Sequence, residues 1–136
     1  MSTQTQDYGT FVVRAAGVLT NGYIAGNIIG NVTDFTQGGV HLKNQLELYV
    51  DFTIGSLTDL QIKIEFSQDS TAFFQEASSA INSGTDTVSL LIHKFTATGK
   101  YRLALPIKDR YIKVSAIGTG TVTSSSVAIS SVIGVA

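Results

Sequence analysis

LELYVDFTIGSLTDLQIKIEF, residues 46–66, is the stretch that decides the fold class of this chain. Its first half places apolar side chains at every second position, and the same alternation resumes from Leu60 to Phe66. Period two is the pattern of a β-strand with one buried face. The segment 55–59 between the two runs contains turn-forming residues. We therefore predict two strands that form a hairpin or lie as near-neighbours, each with one face in the core.

Turn signals recur along the rest of the chain about every 8 to 12 residues, the spacing of a β-sandwich or barrel. Asn21-Gly22 between two short apolar runs predicts a hairpin, because both central residues of a type I′ turn need positive φ. The small, polar segment 78–86 predicts a surface loop, and Pro106 ends a strand because it cannot donate to a ladder. Residues 87–95 predict another strand, whose apolar face carries Val88, Leu90 and Ile92.

Composition supports an all-β chain and excludes several classes of protein. Gly, Ser and Thr make up 43 of the 136 residues, and they are poor helix formers. The net charge is −1 with no cluster of Lys or Arg, so we expect no nucleic-acid partner. We expect no membrane association either, since no signal peptide and no run of about 18 apolar residues occurs. The absence of Cys excludes disulfides and thiolate zinc sites.

The sequence therefore predicts an all-β protein, an antiparallel β-sandwich of jelly-roll type with about eight or nine strands. We expect a single sandwich domain over residues 11–136, preceded by a flexible N-terminal arm over residues 1–10. Only 14% of the residues are charged, which is little for a freely soluble surface. We expect partners to cover part of that surface, especially near the termini.

The sequence contains no residue pattern that favours a catalytic or metal-binding site. His41 and His93 are the only histidines, and neither lies at metal-ligand spacing from another. Glu47 and Asp51 share a strand face but would lie about 13 Å apart, too far for a carboxylate pair. A cross-strand pair of Glu47 with Glu65 stays open, although a solvated charged face is the favoured interpretation. We expect no catalytic residue, no metal site, no cofactor and no enzymatic activity.

Two smaller features have structural interpretations. Asp69 between serines favours an Asx-type turn over a Ca²⁺ loop. Tyr111, at the start of a strand, is interpreted as a corner residue whose hydroxyl bonds nearby backbone. A glycan-stacking cluster near Tyr23, Tyr49 or Tyr101 is possible but not favoured, because Trp is absent.

The second two-thirds of the chain, from about Leu46 to Ala136, resembles small all-β virion proteins of tailed bacteriophages, in particular capsid decoration (head auxiliary or cement) proteins. Two segments carry this resemblance: LELYVDFTIGSLTDLQIKIEFSQDSTAFFQE, and KYRLALPIKDRYIKVSAIGTGTV with the Ser/Val-rich strand after it. The resemblance implies a non-enzymatic protein of the virion that sits on the assembled capsid as a symmetric cluster, often a trimer, and reinforces it. Its implied partners are further copies of itself and the major capsid protein.

Two other interpretations stay open. The strand at residues 110–114 is similar to a strand of galactose-binding-like jelly rolls, which keeps a carbohydrate- or receptor-binding module as an alternative. Sequence also does not separate decoration of the capsid from a tail or connector position in the virion.

Partner contacts are expected at both ends of the chain, in the polar arm and in the apolar C-terminal strand. We expect the arm to add backbone hydrogen bonds to a neighbouring sheet edge. The predicted partner-binding residues are Thr3, Gln4, Thr5, Gln6, Tyr8, Val132, Ile133 and Val135.

Overall fold

The structure, a computed structural model, describes residues 10–30, 45–107 and 109–134. Within those ranges the chain forms strands and no helix, so no helix there is long and apolar enough to cross a membrane. The strands are β1 (Thr10–Gly17), β2 (Ile24–Ala25), β3 (Gln45–Thr53), β4 (Leu57–Ser67), β5 (Phe74–Gln75), β6 (Ala77–Asn82), β7 (Thr85–Leu90), β8 (His93–Phe95), β9 (Gly99–Pro106), β10 (Tyr111–Gly120) and β11 (Ser126–Gly134).

Two antiparallel sheets face each other across one apolar core. Sheet A has the order β1-β11-β3-β9. Sheet B has the order β2-β10-β4-β5, with β8 also pairing with β4. The predicted antiparallel β-sandwich is therefore confirmed, and the short strands β2, β5 and β8 raise the strand count above eight or nine. The largest fully buried side chains are Val13, Leu19, Leu46, Leu48, Val50, Phe52, Leu60, Ile62, Ile112, Val114 and Val127.

Strands β3 and β4 alternate as predicted, but they do not pair with each other. β3 lies between β11 and β9 in sheet A, whereas β4 lies in sheet B beside β10. The short segment 54–56 carries the chain across the core from one sheet to the other. The predicted pairing was wrong because the two apolar faces meet across the core instead of continuing one another side by side.

The hairpin predicted at Asn21-Gly22 is also wrong, and for the same reason. β1 pairs with β11 in sheet A, whereas β2 pairs with β10 in sheet B. Asn21 stabilises this crossing with its side-chain amide, which donates to the carbonyls of Gly118 at 2.9 Å and Gly120 at 3.0 Å. The amide thus supplies hydrogen bonds to the end of β10 instead of forming a tight turn.

A third sheet is formed by β6 and β7 alone, a hairpin that replaces the loop predicted at residues 78–86. Ser83 and Gly84 form its turn, both with positive φ, as a type I′ connection requires. The apolar face predicted for residues 87–95 exists, but it does not enter the core. Val88 and Leu90 are 64% and 59% exposed, because this ribbon stands away from the two main sheets.

Backbone hydrogen bonds at Gly26 and Asn27 bridge the two sheets. The Gly26 backbone N–H donates to Val114 of sheet B, and the next N–H, from Asn27, donates to Val13 of sheet A at 2.7 Å. A Cβ at Gly26 would lie 2.5 Å from the Val13 carbonyl oxygen, so only glycine fits between the sheets. The segment after β2 therefore ties the two sheets together along one side.

At the ends of the strands, the structure bears on two further expectations. Pro106 is the last residue of β9, as predicted, and β9 is an edge strand. Thr10 pairs with Val132 as the first residue of β1, so it belongs to the sandwich. The rest of the predicted arm lies outside the described residues.

Candidate interaction surface

The outer face of sheet A contains a groove of about 590 Å³. Its floor is formed by Ala128 and Ser130 of β11, two small side chains on the central part of the sheet. Val12 and Arg14 of the edge strand β1 line one side. The other side is lined by longer side chains of β3 and β9, namely Tyr49, Asp51, Lys100 and Arg102. A row of small residues between longer ones makes this sheet face concave.

One wall of the groove is fixed by a polar network. Arg102 forms an ion pair and hydrogen bond with Glu47, and the Tyr49 hydroxyl donates to the same carboxylate at 2.9 Å. The hydrogen bond from Tyr49 and then those from Arg102 lower the pKa of Glu47. The same carboxylate raises the pKa of Arg102, so this pair stays charged across the physiological range.

The remaining charges beside the groove are mainly positive. Lys100 lies opposite Asp51 in the β3–β9 ladder. On the other wall, the Arg14 guanidinium donates to the Val18 carbonyl at 2.8 Å, and its Nε is buried with no partner among the described residues. Partial burial lowers the pKa of Arg14, which still remains a cation because guanidinium pKa values are so high.

The β6–β7 hairpin carries the second unusual surface. All twelve of its strand residues are exposed, and a hydrogen bond from the Leu91 N–H to the Glu76 carbonyl closes the base of the hairpin. One face is small and polar, with Ser78, Ala80, Thr87 and Ser89. The opposite face is mainly apolar, with Ala77 opposite Leu90 and Ser79 opposite Val88, and it ends near the turn with Ile81 opposite the acidic Asp86.

A smaller cavity of about 120 Å³ opens at the side of the sandwich. It is lined by residues of β4 and β9, together with Leu91 and the half-buried His93. Burial lowers the pKa of His93, so the neutral imidazole is favoured in the folded chain. His93 was predicted to be a solvated histidine, and the structure instead packs it partly against apolar side chains.

The structure separates the carboxylates considered for chemistry. Glu47 lies on the outer face of sheet A, and Glu65 lies in β4 of sheet B beside Lys63 at 3.8 Å. The two strands do not pair, so the cross-strand Glu47–Glu65 arrangement is wrong. Among the described residues, no three His, Cys, Asp or Glu side chains cluster as metal ligands. His41 lies outside the described residues.

The predicted aromatic positions do not form one platform. Tyr23 lies on sheet B, where Lys63 Nζ is 4.5 Å from its ring centroid, whereas Tyr49 lines the groove on the outer face of sheet A. Tyr101 lies on the inner face of sheet A, where it packs against Phe95 with ring centroids 4.9 Å apart. Its hydroxyl donates to the Ala97 carbonyl at 2.6 Å.

The corner role predicted for Tyr111 is thus filled by Tyr101. Within the described ranges, Tyr111 makes no hydrogen bond of this kind, and its ring instead packs near Gly30.

Asp69 forms the expected Asx-type turn after β4. Its Oδ1 accepts hydrogen bonds from the backbone N–H groups of Thr71 at 2.9 Å and Ala72 at 3.0 Å, and from the Ser67 hydroxyl. These bonds, with the backbone N–H of Ala72 first, lower the pKa of Asp69. Ser70 adopts φ of 62° in this turn, so the carboxylate serves local structure.

The structure describes two of the eight predicted partner-binding residues. Val132 lies on β11 opposite Glu47, and the neighbouring Ile133 packs against the core cluster. Val135 and the arm residues Thr3, Gln4, Thr5, Gln6 and Tyr8 lie outside the described residues. Sequence reasoning missed the groove and the hairpin, although the alternation of Val88 and Leu90 was a visible signal for the hairpin's apolar face.

Comparison with known proteins places the fold but not a family. No protein-family model matches the chain, and no curated protein matches its sequence. Its structure is similar to one described as the crystal structure of PBSX exported protein XepA, with a TM-score of 0.60 and 10% sequence identity. The match covers 99% of this chain but only 40% of the XepA chain. At this identity the likeness establishes a shared fold.

Proposed function

We propose that this chain is a non-enzymatic structural protein of a bacteriophage particle. The observation that carries the proposal is that the β-sandwich has two surfaces that a free protein does not need: the groove on sheet A and the exposed apolar hairpin β6–β7. Exposed apolar faces of this kind mark interaction sites. The fold shared with XepA, an exported protein of the phage PBSX, agrees with a phage origin.

Within that class, we propose decoration of the outer surface of the assembled capsid. The resemblance of residues 46–136 to decoration proteins supports this position. The low charge of the chain supports it too, because surface that partners cover needs little charge to stay soluble. A homo-oligomer bound to the major capsid protein would hold by many weak contacts, which sum through effective concentration.

The test is binding to heads assembled from the major capsid protein of the phage that encodes this chain. We expect the purified protein to co-sediment with the heads at a fixed ratio and to raise the temperature at which they open. Heads that neither bind the protein nor gain stability would contradict the decoration role. Binding to purified tails or connectors instead would place the protein elsewhere in the virion.

The proposed contribution of the N-terminal arm is tested in the same assay. A chain lacking residues 1–9 keeps Thr10, the first residue of β1, and is therefore expected to fold. We expect weaker binding to heads, because the arm would no longer pair with a neighbouring sheet edge. Unchanged binding by the folded, shortened chain removes the arm from the mechanism.

The second candidate is a carbohydrate- or receptor-binding module. One observation favours it: Tyr49 lines the same groove as Arg102 and Asp51, which brings aromatic and polar groups together. A glycan array with the intact protein, and with Tyr49→Ala as the matched variant, tests this role. Glycan binding that disappears in the variant supports it, and an array without hits counts against it.

A further inference from the structure

We propose that the β6–β7 hairpin of one copy docks, through its apolar face, into the sheet A groove of a second copy. This deepens the proposed function, on which it rests for its biological setting, because a decoration protein acts as a symmetric oligomer. The contact is heterologous: two different surfaces of the same chain meet, so successive copies build a ring or a chain of subunits.

The isolation of the hairpin is the first argument. β6 and β7 pair only with each other in the part of the chain that the structure describes. A two-stranded hairpin alone is at best marginally stable in water. Ile81 is 77% exposed and shares one face with Val88 and Leu90. Packing that face against another surface would remove the exposed apolar area and stabilise the ribbon.

The shape of the groove is the second argument. Its Ala128 and Ser130 floor leaves room between the side chains of β1 and those of β3 and β9. Its volume of about 590 Å³ is enough to receive the apolar side chains of one hairpin face. Because the hairpin strands are fully exposed, they do not occupy the groove of their own chain.

Charge selects this pairing over the alternatives. The chain from Ser67 to Ile92 contains three acidic residues and no basic one, and Asp86 lies on the apolar face of the hairpin. Two hairpins packed together would therefore bring like charges into contact, which is unfavourable. The groove offers the opposite sign, since Arg14 and Lys100 line it with Asp51 as the only acidic lining residue in the described chain.

The decisive experiment uses matched lysine variants of the full chain. Val88→Lys places a cation on the apolar face of the hairpin, and Thr87→Lys places the same cation one residue away on the polar face. Both positions are exposed, so both variants are expected to fold. By analytical ultracentrifugation we expect Thr87→Lys to assemble like the parent, and Val88→Lys to associate at least about tenfold more weakly.

A groove variant completes the test. Ala128→Tyr fills the floor of the groove while leaving the hairpin intact, and we expect it to lose self-association as well. Mixing the two variants restores one functional contact. The intact hairpin of Ala128→Tyr can dock into the intact groove of Val88→Lys. We therefore expect a one-to-one heterodimer in the mixture that neither variant forms alone.

Several outcomes would overturn this inference. A parent chain that stays monomeric at every concentration excludes self-docking, and so does assembly that survives Val88→Lys. Loss of assembly in Val88→Lys with undiminished assembly of Ala128→Tyr would indicate hairpin–hairpin contact instead, and loss in both variants without complementation in the mixture also contradicts the inference. Binding to heads is measured separately. If Val88→Lys fails to assemble but still binds heads, self-docking through the hairpin is not needed for head binding, and the decoration function stands.

Discussion

Two neighbouring serines before β11 allow the value of a buried hydrogen bond to be measured. The Ser125 hydroxyl is buried, accepts a hydrogen bond from the Leu19 N–H at 3.2 Å and donates to the Val122 carbonyl at 2.6 Å. In Ser125→Ala the Val122 carbonyl keeps the bond from the Ser125 backbone N–H, but the buried Leu19 amide loses its acceptor. The unpaired Leu19 amide accounts for most of the loss of stability, because no solvent reaches it.

A buried donor without an acceptor costs about 1–3 kcal/mol, so we expect Ser125→Ala to lower the free energy of unfolding by about 2 kcal/mol. With an unfolding entropy of about 2.1 cal/mol/K for each of the 136 residues, this loss corresponds to a fall in Tm of about 7 °C. Urea unfolding should show a lower midpoint with the same slope, since the surface exposed on unfolding hardly changes.

Ser124→Ala is the matched control. Its hydroxyl also accepts a hydrogen bond, from the Ser56 N–H at 3.1 Å, but this site is exposed and water replaces the lost group. We expect a change within about 0.5 kcal/mol. Equal losses in the two variants, or an unchanged Ser125→Ala, would refute the claim that burial of the Leu19 amide sets the cost.

Three further predictions concern single side chains. The inward-facing Ser131 is fully buried with no hydrogen-bond partner for its hydroxyl among the described residues, so Ser131→Ala should stabilise the fold by about 1 kcal/mol in urea unfolding. Because burial lowers the pKa of His93, the unfolded chain binds more protons below about pH 6.5, and stability falls as the pH falls; His93→Gln should flatten that fall between about pH 7 and 5. Gly26→Ala forces a Cβ against the Val13 carbonyl and should cost about 1–3 kcal/mol, whereas Gly22→Ala, with open space around it, should be close to neutral in thermal unfolding.

The sequence predicted which residues form strands better than it predicted which strands pair. Alternation from Leu46 to Phe66 correctly placed one face of each run in the core. A period of two shows that a strand has one buried face, but not whether its partner lies beside it or across the core. The paired strands of sheets A and B are mostly distant in the sequence, so local signals such as Asn21-Gly22 could not reveal them.

The candidate surfaces were hidden for related reasons. Val88 and Leu90 have the alternation of a half-buried strand, and nothing local shows that the hairpin stands outside the core. The groove depends on the register of four strands, which places Ala128 and Ser130 between β1 and β3. The turn at Asp69 was predictable because its hydrogen bonds join residues only two or three positions apart.

The position of β11 in the middle of sheet A has a consequence for biosynthesis. β11 lies between β1 and β3, and the early strand β1 pairs only with it in the described chain. On the ribosome, β1 and one edge of β3 therefore have no partner until β11, the last of the described strands, has emerged. Such long-range pairing folds slowly and exposes strand edges meanwhile. Nascent chains that stop short of Ser126 should thus be prone to aggregation and dependent on chaperones.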